Sequence, residues 1–491
     1  MSTNKINNRL VFLGVACTLV LMLCFAASSA HAVLSSQQDA STLESDVLTP
    51  QSDAPQVGAV AVPPRPKTPR QPLEPAELMT VATPKVVQTV PSYQDGSPYS
   101  LAPAYFWQQH TEADIAAQYG KGEGNIHWGK LELHPMAGFE QKYDTNIALA
   151  PRGQANPEWI SDYIAGLAGR MPLVSSRGDD FLAEAAYRAD FLDYMRHDKL
   201  SRVDHTVHGS VRGNFTNGIG VKVTEDFIKT QDQANNELTA LQKRWWNKLD
   251  GRINYTREKI TVEAAYTVIM NRYLQAHNIS YNDHMMTGAI FYNISAKTRV
   301  FNEFNLGRIQ YRKSPTNSNS YYYQDRIGVE GKIAPKTTGT VKLGFRYQDY
   351  ERKTQKDYAQ ITAFGNIKYD LSERTNFNLY GETRPEESSY ATNSYYISNI
   401  VGLRGEHLLT KRLAVAGGVF WAYDQYRALS VEGDQAAKRH DTLWGADATL
   451  KYELRRWWLL DAGYRFKQRD SRFNNFDYND QQVTMRSSFL F

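Results

Sequence analysis

The chain ends on Val483-Thr-Met-Arg-Ser-Ser-Phe-Leu-Phe491, and how this stretch is read decides the fold. Val483, Met485, Phe489 and Phe491 fall on one face at period two, while Thr484, Arg486 and Ser488 fall on the other. Left as a free edge in water, a half-apolar final strand is a template for aggregation. Closing the sheet into a barrel, with lipid outside and water inside, removes that edge.

The other end of the chain supports export. Lys5 and Arg9 precede an apolar run from Leu10 to Ala27, and Ala30-His31-Ala32 supplies small residues around a cleavage point. This is the layout of a secretory signal peptide over residues 1–32. The run is also long enough for a retained helix, but the Ala-x-Ala site favours removal. Leu23 is too bulky to precede a lipid-attachment cysteine at Cys24. Both cysteines, Cys17 and Cys24, lie in this peptide, so the mature chain has no disulfide framework and no thiolate metal site.

After Ala32 no apolar run approaches the ~20 residues of a spanning helix. Yet the chain carries 30 Tyr, 20 Phe and 9 Trp, an aromatic load that suits a membrane barrel in which only alternate residues meet lipid. The formal charge of +4 falls by two once Lys5 and Arg9 leave, which argues against a nucleic-acid partner.

Two unlike regions follow the peptide. Residues 33–125 hold twelve of the nineteen prolines between Pro50 and Pro103, including Pro63-Pro64-Arg65-Pro66. Such a segment builds no core and reads as a disordered, polyproline-like periplasmic tail. Tyr105-Phe106-Trp107 and the amphipathic Thr111–Tyr119 near its end are expected to form a short helix or a plain tether.

From about Ile126 to Phe491 the texture is period-two. Ile260, Val262, Ala264, Tyr266 and Val268 alternate with Thr261, Glu263 and Thr267. Val341, Leu343, Phe345 and Tyr347 alternate with Lys342, Gly344, Arg346 and Gln348. The same holds for 444–453 and 458–467. This is strand rather than helix periodicity. Short links at Asn217-Gly218, Arg257-Glu258-Lys259, Ala334-Pro335-Lys336, Ser372-Glu373-Arg374, Thr410-Lys411 and Arg455-Arg456 separate longer polar stretches at 313–320, 384–390 and 430–437. Short turns on one side and long loops on the other belong to outer-membrane barrels.

The expected fold is therefore all-β: a transmembrane antiparallel up-and-down β-barrel of about 18 strands, within a range of about 16–20. Its last strand should close against the first, around Leu131 to Phe139. A soluble sandwich or propeller also alternates, but no blade-like repeat is present. Tryptophans 128, 159, 245, 246, 421, 444, 457 and 458 near segment ends fit aromatic girdles.

A barrel of this size leaves an aqueous lumen. Alternation assigns to its inner face Glu184, Arg188, Asp190, Arg212, Glu263, Arg326, Glu330, Lys332, Arg346, Lys368, Asp447, Lys451, Asp461, Arg465 and Arg486. These charges either solvate a polar permeant or pair across strands to support the wall. Tyr380 and Phe420 share the inward parity, as stacking surfaces for sugar rings or as a constriction.

Met136-Ala-Gly-Phe-Glu-Gln-Lys-Tyr-Asp-Thr-Asn-Ile147 resembles the opening strand and Tyr-Asp-x-Asn loop of the putative β-barrel porin family, which includes EpsL-like proteins encoded in exopolysaccharide operons. Thr145 stands where the commoner form has a second acid. The resemblance covers about Ile126 to Phe491. It implies an outer-membrane channel taking part in exopolysaccharide export, with polysaccharide and periplasmic export proteins as partners and no catalytic residues or cofactors to carry over. Phe489 and Phe491 likewise resemble the terminal signal read by the barrel-assembly machinery. The alternatives are a general diffusion porin for small polar solutes and an occluded structural barrel.

Enzymatic activity is not expected. His205, His208 and His284 are accompanied by no Gly-x-Ser-x-Gly elbow and no His-Glu-x-x-His run. Asp144 and Asn146 fall short of a calcium site and suit a loop turn.

Overall fold

The computed structural model describes residues 126–491, apart from 175–178, 234–236, 238–240, 276–278, 313, 315–316, 353, 390–392 and 433–434. The expected signal peptide, the Pro-rich segment and its Tyr105–Trp107 and Thr111–Tyr119 elements lie outside the described residues.

The period-two segments form strands. A short β1 (Ile126–Trp128) turns back into β2 (Leu131–Asp144), followed by β3 (Glu158–Val174), β4 (Asp180–Tyr194), β5 (Arg202–Asn214), β6 (Ile219–Gln233) and β7 (Leu241–Arg257). Next come β8 (Ile260–Tyr273), β9 (Tyr281–Ser295), β10 (Thr298–Tyr311), β11 (Ser320–Ala334), β12 (Thr337–Tyr350) and β13 (Tyr358–Ser372). The series ends with β14 (Thr375–Glu387), β15 (Tyr395–Leu408), β16 (Leu413–Glu432), β17 (Gln435–Arg455), β18 (Trp458–Ser471) and β19 (Tyr478–Leu490). Each pairs antiparallel with its successor and β19 pairs with β2, so the eighteen strands β2–β19 form a closed up-and-down ring. A strand of 14 residues such as β8 extends about 46 Å, enough to cross an apolar band of ~25 Å even when tilted.

The outer face is apolar. Ile290, Ile327, Leu343, Ile361, Val419 and Met485 are each more than half exposed, whereas buried positions on the opposite face include Asp250, Thr267, Asn305, Gln324 and Arg346. No helix among the described residues is long and apolar enough to cross a membrane, a fact that leaves the strand-built route open. At the Asn217-Gly218 turn, Gly218 has φ +87°, and an added Cβ would lie 2.4 Å from the Thr256 carbonyl oxygen. That geometry demands glycine.

Closure departs from expectation in register. β19 does close against the first strand of the ring, β2, but over Met136–Asp144, so that it shares only Met136–Phe139 with the expected Leu131–Phe139. The β19 pairing runs no further than Met136, and β1 covers the edge at Leu131–Leu133 in the register Ile126↔Leu133 to Trp128↔Leu131. A covered edge recruits no foreign strand. At the other end of the seam, the Asp144-Thr145-Asn146 motif acts as a clasp. Thr145 N donates to Gln481 O at 2.9 Å, Gln481 N donates to Thr145 Oγ1 at 2.8 Å, and Asn146 Nδ2 donates to Asn479 O at 3.1 Å. Asn146 N also donates to Asp144 Oδ1 at 2.9 Å, the Asx geometry of a loop turn.

Two polar stretches that the sequence reads as loops are partly strand. Arg384–Glu387 completes β14, and Ser430–Glu432 pairs with Gln435–Ala437. Ladder bonds continue past the apolar band because backbone pairing does not require apolar side chains.

Candidate functional site

Side chains opposite the apolar face point into the ring, and ion pairs tile that inner wall. Arg188 Nε donates to Asp190 at 2.8 Å, Arg404 Nη1 to Asp447 at 2.6 Å and Arg486 Nε to Glu140 at 2.7 Å. Arg252 reaches Asp250 and Glu263 at 2.7 Å each. Glu303 takes both Arg326 and Lys342, the latter at 3.1 Å. Glu330 accepts from Arg299 at 2.5 Å, Glu184 lies 3.6 Å from Arg170, and Lys368 lies 3.1 Å from Asp370. Arg465 donates to Gln482 at 3.3 Å, and Lys451 stands opposite Asp461 in the ladder. Buried Arg346 lies 3.9 Å over the Tyr322 ring and donates to Gln348 at 2.8 Å. Arg212 stands opposite Lys222. Lys332 is exposed beside a bulge near the 335–336 turn and is not drawn into these pairs.

Tyr380 and Phe420 lie together in a buried inner patch with Phe364, Ile400, Ala422 and Leu443. Phe364 and Tyr380 meet edge to face at 5.9 Å.

At the long-loop rim, polar contacts cross the mouth. Glu237, between β6 and β7, is buried and accepts from Ser388 Oγ at 2.6 Å and Ser389 N at 2.5 Å, between β14 and β15. These loops stand eight strands apart in a ring of eighteen, so the bond runs between nearly opposite walls. Asn317 Nδ2 donates to Ser388 O at 2.7 Å, and Tyr311 OH donates to Glu387 at 2.9 Å, bringing in a third wall. Burial holds the Glu237 carboxyl above its ordinary range, against the pull of the Ser388 donor and of Arg439. Sequence alternation could not find Glu237, Ser388 or Ser389, because loop residues carry no period and the partners lie 151 residues apart.

Beneath this crossing, Tyr273, Ile279, Tyr281, Met285, Ile309 and Tyr322 form a buried cluster. Trp246 packs against it, which corrects its placement in an outer girdle. Trp245 and Trp246 are consecutive, and consecutive strand residues face opposite sides. Trp421 and Trp444 face one another outward at mid-strand rather than at strand ends.

At the short-turn rim Phe491 stacks on Trp457, with centroids 6.0 Å apart and planes 17° apart, and Phe489 stacks on Trp458 at 5.5 Å. Phe491 N donates to Pro135 O at 3.0 Å. The terminal aromatics are thus part of the folded rim.

This architecture has a family: the model of putative beta-barrel porin 2 matches residues 125–488. The chain belongs to that family. It is an outer-membrane, porin-like barrel whose apolar band sits in the lipid bilayer. Among solved structures, OccAB4 of Acinetobacter baumannii is 11% identical, with 75% of this chain and 99% of that chain covered and a TM-score of 0.43. Pseudomonas aeruginosa OpdK with vanillate is 10% identical, with 73% and 99% covered and a TM-score of 0.41. P. aeruginosa OccK2 (OpdF) in complex with glucuronate is 10% identical, with 75% and 100% covered and a TM-score of 0.43. Likeness this distant transfers no permeant, residue role or pore geometry to this porin-family chain. No curated protein matches it.

Proposed function

We propose that this porin-family barrel is a narrow-mouthed diffusion channel for small polar solutes and performs no catalytic step. The observation that carries the reading is the Glu237–Ser388/Ser389 tie between nearly opposite walls, which narrows the mouth of a ring otherwise wide enough for an aqueous lumen. The paired charges of the inner wall, most of the fifteen residues assigned by alternation among them but not Arg212 or Lys332, then serve first as wall supports and second as a polar lining.

The test is single-channel conductance in planar bilayers with neutral polymers of graded size. The native protein should admit small sugars and exclude oligosaccharides, and Glu237→Ala should raise both conductance and the size limit. A protein that conducts nothing, or whose size limit ignores Glu237→Ala, would sink the reading.

A second reading is export of an exopolysaccharide, assisted by periplasmic partners. The inner aromatic patch of Phe364, Tyr380 and Phe420 favours it, since flat rings suit sugar faces. Block of native conductance by long anionic oligosaccharides would favour this polymer route over free diffusion. Delivery to the membrane by the barrel-assembly machinery, through Phe489 and Phe491, is part of either proposal.

A further inference from the structure

The rung formed by Arg212, Lys222 and Arg252 does not balance. Arg212 stands directly opposite Lys222 in the β5–β6 ladder, and Lys222 directly opposite Arg252 in the β6–β7 ladder. The three share the inner face: on β7 Ile253 and Tyr255 are exposed outside while Asp250 is buried within. Side chains directly opposite sit about 5 Å apart, a distance at which like charges destabilise a sheet.

The neighbouring acids are held by Arg252 and by groups outside the rung, and no ion pair joins them to Arg212 or Lys222 among the described residues. Asp250 accepts from Arg252 and from Thr267 Oγ1, both at 2.7 Å, and Glu263 accepts from Arg252 at 2.7 Å. Asp226 lies 2.6 Å from His208 Nδ1. Around Lys222 stand the cations Arg212, Arg252 and Lys248 and the anions Asp250 and Asp226, the last directly opposite Lys248 in the ladder. Arg252 alone of the rung holds carboxylates, and the Arg212 Nε has no hydrogen-bond partner among the described residues. In height the rung sits toward the short turns: Arg212 lies two residues before the end of β5, Lys222 three after the start of β6, and Arg252 five before the end of β7.

We propose that this rung is a binding site for one oxyanion group, a carboxylate or a phosphate, carried by a solute at the periplasmic end of the lumen. An oxyanion between Arg212 and Lys222 relieves their repulsion and accepts from the guanidinium and the ammonium together. The planar fork of a guanidinium matches such a group, and the adjacent ammonium adds charge without demanding geometry. The site rests on the channel reading for how a solute arrives, but its test does not require conduction.

The folded full-length protein in detergent is titrated calorimetrically with inorganic phosphate, galacturonate and galactose. Phosphate, galacturonate or both should bind while galactose does not, and the two anions distinguish the sources of the oxyanion. Arg212→Gln and Lys222→Gln should each weaken binding about tenfold, the worth of one charge-assisted hydrogen bond. Lys332→Gln, remote and exposed, should leave it unchanged. Without anion, Lys222→Gln should unfold at the same or a higher temperature, since it removes repulsion. No anion binding to the native protein, undiminished affinity in both variants, or a lower unfolding temperature for Lys222→Gln would overturn the site. Anion binding without conductance would instead overturn the channel reading alone.

Discussion

Replacing Arg486 with Met should unfasten the seam of the barrel. Arg486 stands in one rung between Asp461 of β18 and Glu140 of β2, and Glu140 in turn faces Asp162 of β3. Its side chain is 16% exposed and that of Glu140 14%, so water screens them only in part. Unit charges about 5 Å apart interact by roughly 3 kcal/mol at an effective dielectric constant of about 20. Removing the cation forfeits that attraction and leaves Asp461, Glu140 and Asp162 on one rung. Breaking a buried pair costs about 3–5 kcal/mol, and the wet lumen reduces this to about 2–3 kcal/mol. The assay is equilibrium urea unfolding in lipid vesicles, followed by tryptophan emission and by the gel mobility of the folded barrel. Glu140→Gln added to Arg486→Met should recover at least half of the loss, because it removes the carboxylate left between two others. A loss below about 0.5 kcal/mol, or no recovery in the double variant, would refute the reasoning.

Phe491→Ala should cost about 1 kcal/mol from the lost Trp457 stack and lower the yield of inserted barrel; deleting Phe491 also removes its bond to Pro135 O and should double the deficit, whereas normal insertion of the deletion would contradict its role. Gly307→Ala would place a Cβ 1.9 Å from the Tyr322 ring and should cost about 1–3 kcal/mol by overpacking, measured by the same unfolding assay. Glu237 is raised by burial, so the folded mouth binds a proton that the unfolded chain releases. Burial outweighs the two donated bonds, so the folded mouth is most stable in acid and loses that stability as pH rises through the ordinary carboxylate range to the raised value. Conductance should therefore rise with pH in the native protein and lose that slope in Glu237→Gln, in a setting where Arg439 and Asp441 also face the group; an unchanged slope would show that another group titrates.

Alternation made most of the barrel legible. Val341 to Gln348 and Ile260 to Val268 name their own faces, because a strand sends successive side chains to opposite sides and lipid and water select opposite chemistries. The same rule fails where sequence offers two like residues in succession: Trp245 and Trp246 read alike, and only one can face outward. The register of closure was not legible either, since sliding β19 along β2 by two residues keeps every side chain on its face. Hydrogen bonds of Thr145 and Asn146 to Gln481 and Asn479, and the coverage of Leu131–Leu133 by β1, fix it instead.

By itself the sequence determined a ring of about eighteen strands, its lipid face, its short-turn rim and a charged interior, because these depend on period and turn length, which are local. Only the tertiary structure decided which charges pair, which rung is left with three cations in line, and that Glu237 meets Ser388 across the mouth. Those facts depend on closure, which brings together residues hundreds of positions apart whose local sequences carry no mark of one another. The terminal Val483–Phe491 strand belongs to both: its faces are written in its period, and its partner is chosen by the ring.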